Sequence, residues 1–174
     1  MGDLPQNKIH KSLLSALGKS KDSPEFSLVR KLLGDPSLAS ENDSIISYSF
    51  AQSGNMFTYM KALASFVMVS FHFKTSSVAE GSFSAYSSDL PAGILPLDGL
   101  VEISQKLGTN PISDHHDLNN GNDDSNDEPQ MDSGYFEVPP YRIGYTLESV
   151  TGPLVILCVN LLDFPKPAKW DRNR

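Results

Sequence analysis

The residues able to do chemistry in this chain are few and scattered. The tightest group is Asp114-His115-His116-Asp117, four side chains of metal-ligating type in succession. A metal site needs donors preset in space, and these four sit in an acidic run poor in apolar residues, so no metal is expected. Asp163 closes the apolar run that begins at Leu154, a position where catalytic carboxylates occur. An aspartate there more commonly forms a turn by accepting local backbone N–H groups. The sequence holds no Gly-rich phosphate loop, no cysteine pair at metal spacing and no nucleophile elbow. Its single cysteine, Cys158, lies inside LVILCVNLL and reads as a small core hydrophobe. Neither catalysis nor a cofactor is expected.

Binding residues are better represented. Trp170 stands among Lys166, Lys169, Arg172 and Arg174, and a second basic group comprises Lys8, Lys11, Lys19 and Lys21. A tryptophan in a basic run can lie at a membrane interface, stack on a base or anchor in a protein pocket; folding back onto the core would satisfy it equally. The net charge of −7 is local: residues 113–133 hold 7 of the 21 acids and no Lys or Arg, leaving 14 acids against 14 bases elsewhere. Within that stretch Ser125 precedes Glu128 by three residues, a spacing acidophilic kinases prefer, and Asp132-Ser133-Gly134 begins like a phosphodegron. Ser125 and Ser133 are the candidate phosphorylation sites.

The elements that must position these residues follow from periodicity and punctuation. Ile9, Leu13 and Leu17 recur at helical spacing up to Gly18. Ser23, Pro24 and Glu25 mark a second helix start, with Leu28, Val29, Leu32 and Leu33 as its apolar stripe and Gly34-Asp35-Pro36 as its stop. Residues 37–44 read as a polar link, 45–50 as a strand, and 55–65 as a short helix or turn. FVMVSFHFK alternates, which places Val67, Val69, Phe71 and Phe73 on one side and Phe66, Met68, Ser70, His72 and Lys74 on a wetter one. A weak strand is read at 81–88. A helix follows with Asp98 as N-cap, Leu100, Val101, Ile103 and Leu107 as its apolar side, and Gly108 as its end. Residues 113–133 read as a disordered acidic loop. Tyr141–Leu147 and Leu154–Leu162 form the clearest signal, an antiparallel hairpin whose second strand reads as central and covered on both faces.

This order gives an α+β fold, a small mostly antiparallel sheet with packed helices and a long acidic disordered loop. The domain reading is a helical arm at 1–43, one core domain at 44–163 and a basic tail at 164–174. MGDLPQNKIH has no signal-peptide core, and the longest apolar stretch, Leu154 to Val159, is far short of the ~20 residues that span a bilayer. An intracellular protein without a transmembrane segment is expected.

The hairpin from Tyr141-Arg142-Ile143-Gly144 through Gly152 to the apolar strand ending at Asp163 resembles the late part of rhabdovirus matrix proteins, most closely those of plant-infecting cytorhabdoviruses. The overall plan is similar: polar N-terminal region, strand and helix core, long loop, final hairpin. The resemblance covers roughly a quarter of the chain. It implies a viral structural protein of host cytoplasm and virion that self-associates, condenses the nucleoprotein–RNA complex, and contacts anionic membrane and glycoprotein tails during virion assembly. Two departures argue against animal-type budding: the N-terminal region is only mildly basic, and Pro139-Pro140-Tyr141 lacks the residue between proline and tyrosine that budding motifs carry. A cellular adaptor or regulatory domain with a phosphorylatable loop shares the same composition. A viral movement protein also carries an apolar strand ending in Asp, but far more chain follows that residue there than follows Asp163.

Overall fold

A computed structural model describes residues 9–73, 77–78, 81–82, 84–113, 132–148 and 152–162. Two helices, α1 (Ile9–Ser15) and α2 (Pro24–Leu33), precede four strands, β1 (Ser37–Glu41), β2 (Ile45–Phe50), β3 (Asn55–Met60) and β4 (Ser65–His72). A two-residue pair, β5 (Ser77–Val78) and β6 (Gly81–Ser82), leads to helix α3 (Leu100–Leu107). Then come β7 (Ile112–Ser113), β8 (Asp132–Val138), β9 (Tyr141–Leu147) and β10 (Leu154–Leu161). Eight strands form one antiparallel sheet in the order β1-β2-β3-β4-β10-β9-β8-β7, which bears out the α+β class.

Register assigns the two faces, because directly opposed residues share a side. Phe57, Val69, Val159 and Ile143 form one cross-strand row; Phe71, Leu157 and Tyr145 form the next. These side chains are buried, and they meet Leu13, Phe26, Val29 and Ile103 from the three helices in one core. The opposite face carries Ser47, Thr58, Met68, Asn160 and Arg142 in one row and Ser49, Met56, Ser70, Cys158 and Gly144 in another.

Helix α2 starts as its residues dictate. The Ser23 hydroxyl accepts from the Phe26 N–H at 3.2 Å, Pro24 occupies the first turn, and Gly34 closes the helix with φ +88°. The hairpin β9–β10 pairs along its length, and Ile143, Tyr145 and Leu147 are buried as their alternation requires.

Several expectations are corrected. Residues 37–41 are the edge strand β1 in place of a polar link, and side chains of α1 and α2 join the same core as the sheet. Residues 55–60 are a strand between the 3-10 turns Ala51–Ser53 and Lys61–Leu63. In β4 a bulge sets Phe66 opposite Tyr59 and Met68 opposite Thr58. The extra residue, Val67, shifts the alternation, so Phe66 joins Val69 and Phe71 in the core. His72 is buried, with its Nε2 3.2 Å from the Ser70 hydroxyl. The strand read at 81–88 is limited to Gly81–Ser82. β10 is central, yet only Leu154, Leu157 and Val159 are buried; its other face, with Cys158, is half-covered. Ser113 and Asp132–Ser133 belong to β7 and β8, so they fall outside the loop read at 113–133; residues 114–131 lie outside the described residues.

Gly54 shows why one position tolerates no side chain. Its φ is +71°, and a Cβ there would stand 2.5 Å from the Ser84 carbonyl oxygen and 2.7 Å from the Tyr86 nitrogen. The close approach lets the Tyr86 N–H donate to the His72 carbonyl at 2.6 Å, which lays the segment after residue 84 across the end of β4.

Candidate functional site

The described part of the N-terminal basic group stands on the helical layer. Lys11, Lys19 and Lys21 are exposed, and Lys19 lies 3.6 Å from Glu25. Lys21 lines an open depression of about 300 Å³ with Asp22, Phe26, Arg30, Asp35, Pro36 and Tyr48. Arg30 Nε donates to Asp35 Oδ1 at 2.8 Å, so one cation there is already neutralised. Lys21 and Asp22 both line the depression, so the charge is mixed, and the pocket is no dedicated anion site. Lys8, Lys166, Lys169, Trp170, Arg172, Arg174 and Ser125 lie outside the described residues. Ser133 is exposed in β8, paired with Thr146 of β9.

A second surface is built between β6 and α3. His10 Nδ1 of α1 meets Asp89 Oδ2 at 2.5 Å, and the Tyr86 hydroxyl donates to the Asp89 carbonyl at 2.9 Å. Burial, reinforced by the Asp89 charge, holds the Tyr86 hydroxyl well above the ordinary tyrosine range. Asp98, expected as the N-cap of α3, does different work: its Oδ2 accepts from the Leu95 N–H at 2.6 Å and from Lys106 Nζ at 2.5 Å, while Gly99 is the N-cap. The Pro96 carbonyl accepts from the Leu154 N–H at 3.1 Å, tying the segment to β10.

The held segment turns apolar side chains outward. Leu95 is 57% exposed, Leu97 85% and Val101 65%. All three fall within seven residues of one another in the sequence. Sequence reading placed Val101 with the core stripe of α3. At about 100° per residue it falls well off the line through Leu100, Ile103 and Leu107, and that angle is the signal that could have found it.

Two groups on the other sheet face, the buried His72 and the half-buried Cys158, have altered acidities. The Cys158 thiol is pushed up to about 12 by burial, which keeps it protonated and poorly nucleophilic. Burial also lowers His72 below the ordinary 6.5. On acidification the unfolded chain therefore binds this proton first. The His72 contribution to stability is full above 6.5, declines as the pH falls below it, and is lost below the folded-state value. His72→Gln is expected to flatten the fall in thermal midpoint between about pH 7.5 and pH 5; equal slopes for variant and parent would refute the assignment.

Among the described residues no group of three or more His, Cys, Asp or Glu is placed to hold a metal ion, and no helix is long and apolar enough to cross a membrane. Asp114, His115, His116, Asp117 and Asp163 lie outside those residues.

No protein-family model matches the chain, and none of the curated proteins does. Among solved structures it is similar to a DUF4309 family protein (YjgB) from Bacillus subtilis subsp. subtilis str. 168. The two share 10% identity and a TM-score of 0.43 over 90% of this chain and 95% of the other, a likeness too loose to carry any conclusion about function.

Proposed function

We propose that this chain is a non-enzymatic, self-associating structural protein of the viral matrix type. In this reading it condenses a nucleoprotein–RNA complex and contacts anionic membrane during virion assembly. The observation that carries the reading is the outward set Leu95, Leu97 and Val101, held in place by Asp98 and Pro96. An anchored apolar surface is built for a partner. The resemblance of the β9–β10 hairpin to rhabdovirus matrix proteins supplies the class, and the exposed Lys11, Lys19 and Lys21 supply cations for RNA phosphates or lipid headgroups. Their attraction is weak per copy and screened at physiological salt, where the Debye length is ~8 Å. Arrays of copies make weak contacts effective.

Leu13, Ala16 and Leu17 are buried, so the test reverses charges instead of removing the helix. The intact protein should co-sediment with cytorhabdovirus nucleocapsids and with phosphatidylserine liposomes at low salt, and release at high salt. Lys11→Glu, Lys19→Glu and Lys21→Glu combined should weaken binding severalfold while the thermal midpoint holds. A protein that ignores both targets at every salt concentration sinks the matrix reading. The adaptor reading, which the same apolar surface also suits, then takes its place.

A further inference from the structure

We infer that the sheet face turned away from the helices holds a site for one Cu(I) ion, with Cys158, His72, Met56 and Met68 as its ligands. The site shares no residue with the outward apolar set or the basic group, so it stands or falls independently of the proposed function.

Register gathers the four side chains around Ser70. Met56 of β3 and Cys158 of β10 lie directly opposite Ser70 of β4, one on either side of it. Met68 and His72 lie two residues before and after Ser70 on β4 and therefore share its face. The neighbours across the sheet stand about 4.8 Å from this centre, and those along β4 about 6.8 Å. Ser70, 1% exposed, is the shortest side chain of the group and forms its floor. His72 already reaches over that floor, with Nε2 3.2 Å from the Ser70 hydroxyl. The methionines are unbranched and carry three rotatable bonds, so their sulfurs adapt to an ion placed there. Met56, Met68 and Cys158 are each half-buried, so the group is sheltered without being sealed. On β9 the residue opposite Cys158 is Gly144, which sets no side chain over the thiol.

Donor chemistry selects the ion. Thiolate and thioether sulfurs are soft and imidazole is intermediate, a set that suits Cu(I). Zinc takes thiolates, imidazoles and carboxylates, and only Cys158 and His72 qualify. Among the described residues no third His, Cys, Asp or Glu stands with them. Charge points the same way. Binding exchanges the Cys158 S–H bond for a copper–sulfur bond and releases the proton to solvent. The monovalent ion and the thiolate then sum to zero. A divalent ion would leave one positive charge uncompensated, which a partly buried site penalises.

Anaerobic titration of the full chain with Cu(I), against the chromophoric chelator bicinchoninate, tests the site. One ion per chain should be withdrawn from the chelator, and Ag(I), a redox-inert soft ion, should raise the thermal midpoint. Loss of an outer-shell partner alone costs metal affinity about 10–100-fold, so Cys158→Ser should weaken Cu(I) binding at least about a hundredfold. Met56→Leu and Met68→Leu conserve volume; each should keep the metal-free midpoint and weaken binding about tenfold. Should Cys158→Ser fail to fold, X-ray absorption of the copper-loaded parent decides. Sulfur neighbours with one nitrogen support the site, whereas nitrogen and oxygen alone overturn it. Copper left on the chelator, full affinity in Cys158→Ser or in the Met56→Leu, Met68→Leu double variant, or displacement by excess Zn(II) also overturns it.

Discussion

Leu157→Asp is expected to yield no soluble protein. Leu157 is 0% exposed and lies between Phe71 of β4 and Tyr145 of β9, with no cation in its row. An aspartate there must either remain charged without a partner or take up a proton and still lack hydrogen bonds. Each route costs several kcal/mol, against a total stability of only ~5–15 kcal/mol for a typical domain. Leu157→Ala provides the graded control. It removes packing without adding charge and should cost about 2–5 kcal/mol, a fall in midpoint of roughly 5–15 °C. Soluble, cooperatively unfolding Leu157→Asp protein would mean that this row is not the core.

Phe26→Ala is expected to cost about 3–5 kcal/mol and to act on more than its own helix. The Phe26 ring lies 4.1 Å from Phe66, 5.8 Å from Phe57, 5.9 Å from Tyr48 and 6.2 Å from Phe50, centroid to centroid. Edge-on and tilted ring pairs of this kind add about 0.5–1.5 kcal/mol each beyond area burial. No other α2 side chain makes ring contacts with the sheet among the described residues. Hydrogen exchange should show amides of residues 24–33 losing protection before those of β9 and β10, with Phe26→Leu intermediate. Uniform loss across all elements, or none in α2, would contradict this anchoring role.

What could be read from the sequence was what is local. Ser23, Pro24 and Gly34 name the ends of α2 because caps and stops act through neighbouring backbone groups. Tyr141–Leu147 announces a strand because its alternation is unbroken. β3 escaped because NMFTYM follows a glycine turn and carries methionines, which suit helices as well as strands. β1 escaped because an edge strand of serines and alanine owes its form to β2, a partner on another segment. The β4 bulge is likewise set by the partner's register, so Phe66 stands on the side opposite to the one expected, while His72 keeps its expected side but is buried there. The basic candidates were visible as charges, but an outward-facing apolar set is legible only once the core has claimed its share of leucines. Leu97 and Val101 are what the core left over.

The order β4-β10-β9 has a consequence for how the protein is made. The ribosome delivers β10 after every other described strand, yet β10 belongs in the middle. Before Leu154 emerges, β4 and β9 each present an unpaired inner edge, and the nascent chain holds two half-sheets with no seam between them. Open edges of this kind pair readily with other chains. Synthesis that pauses before β10 has emerged therefore exposes the most adhesive form of the molecule, and chaperone demand should peak until it does. A premature stop there removes the keystone, whereas losing β1 would only trim an edge.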